Sequence, residues 1–288
     1  MKKIPFLMVA LFSAYMSGAQ SAGDSLSGPY ALVAGGSKGI GYGIAEALAR
    51  RQFNLVLIAR GMDSLLAAKR KLETAYNIHV EVLSYDLSKE TSAPEIAKWC
   101  TDRNLQLKML CNVAGYGGST DYLTAPLDTI RYMVRLNVES AMSLTMLLLP
   151  LLEKNAPAYI LNVASLAGFA PIPIKNVYSS TKSAVVYFSY ALRYQLEEKD
   201  ISVSCLAPGP VFTKPQVIED TKENLGWWGM RMEVPPGKVG EIAVRETLKG
   251  KLIIVPGTLA KFSAFIVRLL PRRTMTSIYN KAGKKNKN

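Results

Sequence analysis

Seven short apolar runs rich in β-branched residues alternate with longer segments of helical periodicity, and a glycine turn links the first run to the first helix. Together these predict an α/β fold: a single Rossmann-type domain with a doubly wound, seven-stranded parallel sheet and helices on both faces. The candidate strands are 31–34, 54–59, 78–84, 108–113, 158–163, 202–206 and 252–255. Each is apolar throughout or has one polar interruption, as a parallel strand covered on both faces requires. Helical patterns at 41–52, 63–76, 127–154 and 176–199 fill most of the gaps. No internal repeat or linker interrupts them, and 288 residues, 49% of them hydrophobic, suffice for one full core. The domain is expected over 28–256.

The two ends lie outside that pattern. Lys2 and Lys3 precede an apolar stretch, 4–16, and a run of small residues to position 22, the layout of a secretory signal. Thirteen apolar residues are short for a bilayer span, so segment 1–22 reads as a cleaved signal, an uncleaved interfacial anchor or a chance apolar leader. After the last strand, 258–270 predicts a helix with Phe262, Phe265, Ile266 and Leu269 on one face and Lys261 and Arg268 at its border, ended by Pro271. Segment 257–288 thus reads as an amphipathic helix and a basic tail. Residues 247–288 hold ten Lys/Arg and no acidic residue, and the rest of the chain is nearly neutral. This end fits peripheral contact with an anionic membrane, or a solvated tail. The apolar stretch 144–152 is too short to span a bilayer and contains Pro150, which favours a buried or dimer-forming helix.

Composition excludes several kinds of chemistry. The only histidine, His79, lies in an alternating segment and reads as a strand residue, which leaves no imidazole cluster for a metal. Cys100, Cys111 and Cys205 have neither the number nor the spacing of a disulfide scaffold or zinc site and read as free core thiols. The net charge of +13 is confined to one end and accompanies no nucleic-acid recognition motif.

The first strand runs into Ala34-Gly35-Gly36-Ser37-Lys38-Gly39-Ile40-Gly41 and then a helix. Glycines here allow a tight turn and close approach of backbone to a pyrophosphate at the helix N-terminus. A carboxylate at the end of the second strand would accept from a ribose 2′-hydroxyl, but Arg60 stands there. With Lys38 it suits a 2′-phosphate, and hence NADP(H). In Tyr178-Ser179-Ser180-Thr181-Lys182, tyrosine and lysine four apart share one helix face, so the ammonium is expected to lower the phenol pKa and make Tyr178 a general acid. Ser165, thirteen residues earlier, ends the fifth strand.

These motifs in this order resemble the short-chain dehydrogenase/reductase superfamily, from about residue 30 to 256. The resemblance also rests on Asp86-Leu87, Asn112-Val113-Ala114-Gly115, Asn137 and Pro208-Gly209-Pro210-Val211-Phe212-Thr213. It implies that Tyr178 protonates a carbonyl oxygen, Ser165 orients it, Lys182 holds the nicotinamide ribose and tunes Tyr178, and Asn137 supports a proton relay. Asp86 and Leu87 would face the adenine, Asn112, Ala114 and Gly115 would line the cofactor cleft, and Pro208, Gly209, Val211 and Thr213 would approach the carboxamide. Two departures stand out: Ala34 replaces a threonine that ties the turn to the Asn112 segment, and Val113 replaces a second asparagine. A modest loss of rigidity is expected from them.

Between Thr213 and the last strand, Trp227, Trp228, Met230 and Met232 suit an elongated apolar ligand, or else pack a loop against the core. Phe169, Pro171, Ile172 and Pro173 would extend the same wall. The expected activity is NADPH-dependent reduction of a ketone or aldehyde, or the reverse, on a hydrophobic substrate such as a 3-oxoacyl thioester or steroid. The alternative is a non-catalytic NADP(H)-binding regulator. A homodimer or homotetramer is implied, through the helices after Pro126 and Lys175. A reducing, NADPH-containing compartment favours a membrane-associated protein with its catalytic domain facing the cytoplasm, export being the alternative.

Overall fold

The computed structural model describes residues 28–118, 123–212, 218–219, 221–222, 227 and 229–285, so the leader at 1–22 lies outside the described residues. Seven parallel strands form one sheet: β1 (Tyr30–Ala34), β2 (Asn54–Ala59), β3 (Val80–Ser84), β4 (Leu107–Asn112), β5 (Ala158–Val163), β6 (Ile201–Leu206) and β7 (Ile253–Ile254). Their order is β3-β2-β1-β4-β5-β6-β7. The chain winds outward from β1 on one side and from β4 on the other. The crevice between their carboxyl ends is therefore where a ligand belongs.

Helices α1 (Gly39–Ala49), α2 (Met62–Tyr76) and α3 (Ser92–Asp102) follow the first three strands. Next come α4 (Leu127–Val134), a π turn (Arg135–Glu139) and α5 (Ser140–Lys154), which run on as one 28-residue helix. α6 (Asn176–Gln195), α7 (Pro236–Leu248), α8 (Thr258–Leu269) and α9 (Arg272–Lys285) follow. Side chains alternating along the strands feed two cores. One joins Leu32, Val56, Leu110 and Ile160 to α3, α5 and α6; the other joins Val33, Leu55, Leu57 and Cys111 to α1, α2 and α7. All three cysteines are buried free thiols, as expected.

Long apolar helix 127–154 passes the length and composition test for a membrane span, yet Leu144, Leu148 and Leu152 are buried in the first core, so it is a structural helix of the domain. α3 and α7 lie in gaps that the periodicity left unassigned. α7 meets α1 through paired glycines: a Cβ on Gly43 would stand 2.4 Å from the Pro236 carbonyl oxygen, and one on Gly240 2.1 Å from the Gly43 carbonyl carbon.

Two expectations need correction. His79 precedes β3 instead of lying in it, with Nε2 2.9 Å from Glu81 Oε1 and its ring edge-on to Tyr30. The basic tail does not stop being regular at Pro271, because a second helix, α9, starts at Arg272. Its Met275 is buried, and the Arg272 guanidinium donates to Tyr187 Oη at 2.7 Å. A segment without acidic residues thus folds back onto α6.

Candidate active site

The crevice floor begins at the β1–α1 turn. Gly35 has φ +93° and Gly39 φ +56°, conformations open to glycine at little cost. A Cβ on Gly35 would come 2.8 Å from the Ala114 nitrogen, and one on Gly41 only 2.0 Å from the Gly35 carbonyl oxygen. Lys38 is the N-cap of α1, and its side chain makes no capping hydrogen bond. The turn with Ser37, Gly39 and Ile40 therefore presents a helix N-terminus on the floor of the crevice, a cradle that fits a dinucleotide pyrophosphate. Ala34 brings no hydroxyl, but its carbonyl accepts from both Val113 N (3.0 Å) and Ala114 N (2.7 Å), which ties the turn to the segment after β4 through backbone.

Exposed Arg60 follows β2, and its charge acts on Asp86 after β3. Burial alone would raise the Asp86 pKa, but hydrogen bonds from Ser88 N (3.0 Å) and Ser88 Oγ (2.7 Å), with the charges of Arg60 and Lys89, outweigh it and hold the carboxyl below its usual value. Leu87 points away, into the core beside Ile96. Of that pair only Asp86 offers a side chain to the crevice.

Asn112 also departs from expectation. Its Nδ2 donates to Asn162 Oδ1 (2.9 Å) and Thr145 Oγ1 (3.0 Å), and Asn162 Nδ2 donates in turn to Ser189 Oγ (3.0 Å). Buried to 6% exposure, the side chain belongs to a polar ladder joining β4 and β5 to α5 and α6, while its Oδ1 is buried without a hydrogen-bond partner. Ala114 and Gly115 continue along the cleft. A Cβ on Gly115 would lie 3.2 Å from Lys182 Nζ and 3.3 Å from Asn137 Oδ1, so glycine here lets two site residues close on the backbone.

Asn137 sits in the π turn, a geometry that often marks functional positions. Its Oδ1 accepts from Tyr116 N (2.7 Å), while Nδ2 donates to Tyr116 O and Thr181 Oγ1, both at 3.0 Å. It thus clamps the loop after β4 to α6 one residue before Lys182. Tyr116 packs edge-on against Tyr132 at 5.6 Å, and Tyr132 lies in the field of Arg60 and Asp86. Neither tyrosine is legible as a site residue: Tyr116 lies in the loop after β4, where no periodicity applies, and nothing in α4's pattern distinguishes an aromatic facing the crevice from one facing solvent.

Ser165 follows β5, and its Oγ accepts from Ala167 N at 3.2 Å. Leu166 N donates to Pro208 O (3.0 Å) after β6, and Ser183 Oγ donates to Gly168 O (2.8 Å), so the serine loop is tied to both β6 and α6. Tyr178 on α6 is half-buried and hydrogen-bonded with Ser165. Lys182, one turn on, is 4% exposed; its Nζ donates to Val163 O at 2.9 Å and lies 5.9 Å from the centre of the Tyr178 ring. The expected lowering of the phenol pKa is reversed here. Burial pushes Tyr178 up, against the Ser165 hydrogen bond, and brings Lys182 down to about 8. Desolvation acts on both groups more strongly than their mutual interaction.

Pro208, Gly209 and Val211 follow β6, with Val211 buried in the second core. Thr213 and Trp228 lie outside the described residues. Trp227 is 66% exposed with the Arg231 guanidinium 4.9 Å over its ring, whereas Met232 is buried and accepts from Ser263 Oγ at 3.5 Å. For Met232, packing of the loop onto α8 is the reading the structure carries. Arg268 stands 5.5 Å over the ring of Phe169, which borders the serine loop.

A family model described as short chain dehydrogenase matches residues 29–224. A very-long-chain 3-oxoacyl-CoA reductase of Danio rerio is 35% identical over 199 residues, 67% of this chain and 62% of that protein. Hydroxysteroid dehydrogenase-like protein 1 of Gallus gallus is 31% identical over 65% of this chain and 57% of its own length. The chain spans about three fifths of the length of the curated relatives it matches. Among solved structures, an alcohol dehydrogenase from the archaeon Thermococcus sibiricus complexed with 5-hydroxy-NADP superposes with a TM-score of 0.68 at 25% identity, covering 84% of this chain and 98% of that one.

Proposed function

Because the chain belongs to the short-chain dehydrogenase family, we propose that it is an NADP(H)-dependent oxidoreductase that reduces the keto group of a hydrophobic substrate, 3-oxoacyl thioesters being the class favoured by its relatives' names and steroids the next. The observation that carries this reading is the convergence of Ser165, Tyr178 and Lys182 at the carboxyl ends of the strands, with the phenol hydrogen-bonded to the serine. Arg60 and Lys38 at the cradle, without a carboxylate at the end of β2, support NADP(H) over NAD(H).

The dinucleotide, when bound, supplies the hydride; the chain supplies orientation and the proton. Ser165 Oγ and the Tyr178 phenol bracket the carbonyl oxygen. The raised phenol pKa keeps Tyr178 protonated until it donates to that oxygen. Lys182, still charged at neutral pH, then stabilises the phenolate in a site that excludes water. Asn137 holds the Tyr116 backbone and Thr181 in register and so keeps α6 aligned with the loop after β4. Asp86, Ala114 and Gly115, with the segment from Pro208 to Thr213, complete the dinucleotide side. Phe169 and Ile172, with Trp227 and Trp228, are assigned to the substrate side.

Exposed Leu127, Val134, Met146 and Leu147 on helix 127–154, with Tyr194 on α6, offer an apolar surface for a homodimer or homotetramer. Three buried free thiols and a need for NADPH support a catalytic domain facing the cytoplasm at a membrane. The direct test is oxidation of NADPH, with NADH alongside, against aldehydes, lipid ketones and 3-oxoacyl thioesters. Turnover that prefers NADPH identifies the substrate class. Tight NADPH binding without turnover on any of them would mean a binding-only protein.

A further inference from the structure

Helix α8 turns only its small residues inward. Ala260 and Ala264 pack with Ala207 and Val255 against the serine loop, while Phe262 (57% exposed), Phe265 (60%) and Leu269 (64%) face outward. Between this face and the edge strand β7 lies an open groove of about 560 Å3, lined by Lys251, Ile253, Lys261, Phe265, Arg268 and Leu269 among others, with no carboxylate in its lining. Arg268 donates to Tyr190 Oη at 3.0 Å, and Lys251 stands 3.7 Å from Glu246, which Arg245 holds at 2.9 Å. From position 247 onward the sequence contains no acidic residue.

We propose that this face docks on an anionic lipid bilayer, with lipid phosphates along Lys251, Lys261 and Arg268 and with Phe262, Phe265 and Leu269 in the acyl boundary. Charge selects this occupant over a second copy of the chain. A two-fold interface would set the same three cations against their own copies, whereas a phosphate surface neutralises them. Aromatic and aliphatic side chains flanked by basic ones are the composition of an interfacial helix.

The location gives the docking a consequence for the site. α8 packs on Leu166–Phe169, directly after Ser165, and α9 packs on Pro173–Lys175, directly before the helix that carries Tyr178. A bilayer against α8 therefore lies beside the mouth of the crevice, where a lipid-borne ketone would enter without crossing water. The proposal rests on the membrane location read above and uses nothing of the hydride transfer.

The test uses the full chain. All three native thiols are buried, so Leu269→Cys gives one accessible site for an environment-sensitive dye, with Lys98→Cys on α3 as control. On vesicles one third phosphatidylglycerol, the dye at 269 shifts to the blue and the control does not; on pure phosphatidylcholine the apparent affinity is at least tenfold lower. Phe262→Asp/Phe265→Asp abolishes the shift while NADPH binding, followed by nucleotide fluorescence, persists. An unchanged dye at 269 overturns the proposal even where the leader carries the chain to vesicles. So does a blue shift that appears without lipid and is lost on dilution, which would mean a second copy on this face. Loss of NADPH binding in all variants and the parent chain alike would count against the redox reading and leave the docking result standing.

Discussion

On the β1–α1 side of the crevice the tight approaches are between backbone atoms: Gly35 against Ala114 N and Gly41 against the Gly35 carbonyl. On the α6–α8 side the contacts are made by side-chain ends, as with Arg268 over Phe169 and Ser263 on the Met232 sulfur. The first side admits one ligand shape, because a methyl group placed on either glycine would need the main chain to move. The second can change its lining without disturbing the sheet. A constant dinucleotide is thereby held by geometry, and a variable substrate is left to side chains.

The largest expected effect isolates the chemistry that lies between the two sides. Tyr178→Phe removes only the phenol oxygen and should lower turnover by about 10²- to 10⁴-fold, the usual worth of a general acid. NADPH affinity should stay within a factor of about two, because the backbone cradle is untouched. A matching loss of affinity would mean that α6 holds the dinucleotide as much as the glycine turn does.

Next comes the contrast itself. Gly41→Ala would drive a methyl group to 2.0 Å from the Gly35 oxygen, forcing the turn open. NADPH affinity should fall by about 100-fold, measured by titration calorimetry, with a lower melting temperature. Phe169→Ala at the mouth should leave NADPH affinity unchanged and alter only KM for the carbonyl substrate. If Phe169→Ala weakened NADPH binding as much as Gly41→Ala, the division between rigid floor and adaptable mouth would fail.

The same division decided what the sequence could reveal. Backbone-fixed features leave glycines and strand ends in the sequence. The turn at 35–41, Arg60, Asp86 and the Ser165–Tyr178–Lys182 set all lie at carboxyl ends of strands or on α6, as read. Side-chain geometry leaves no such trace. The motif that carries Asn112 points to the cleft, yet its amide turns into the ladder with Asn162 and Ser189. The polar interruption at Asn162 in β5 was the available signal, since a buried amide in a central strand needs a partner. α9 was lost because Pro271 reads as a stop, whereas it sits just before the first turn of a new helix, where proline is well tolerated. The direction of the Tyr178 shift depends on burial, which no spacing reports: the Tyr-x-x-x-Lys spacing predicts a lowered phenol pKa, and desolvation raises it.

A smaller effect sharpens the cofactor side. Arg60→Ala removes the charge expected on a 2′-phosphate and should weaken NADPH by about 10- to 100-fold, the range for a lost charge-assisted hydrogen bond, with NADH binding unchanged. Equal weakening of both would assign Arg60 to Asp86 and the adenine pocket in place of the phosphate.

The smallest effect tests the buried cation where floor and mouth meet. Lys182 binds its proton less tightly in the folded protein, with a pKa of about 8, than in the unfolded chain, where the usual value of about 10.4 applies. Below pH 8 both states carry the charge, and the fold bears the full cost of burying it. Between about 8 and 10 the folded state releases the proton first, so the unfolded chain binds more protons and stability rises with pH, by up to about 1.4 kcal/mol per unit from this group. Lys182→Met should therefore be more stable than the parent below pH 8, with the gap closing as pH rises through that window in urea titrations. Turnover should move the opposite way, falling above pH 8 as the charge that stabilises the Tyr178 phenolate is lost. A stability gap independent of pH would mean that Lys182 keeps its ordinary pKa in the folded protein and stays charged through that window, so that folding releases no proton there.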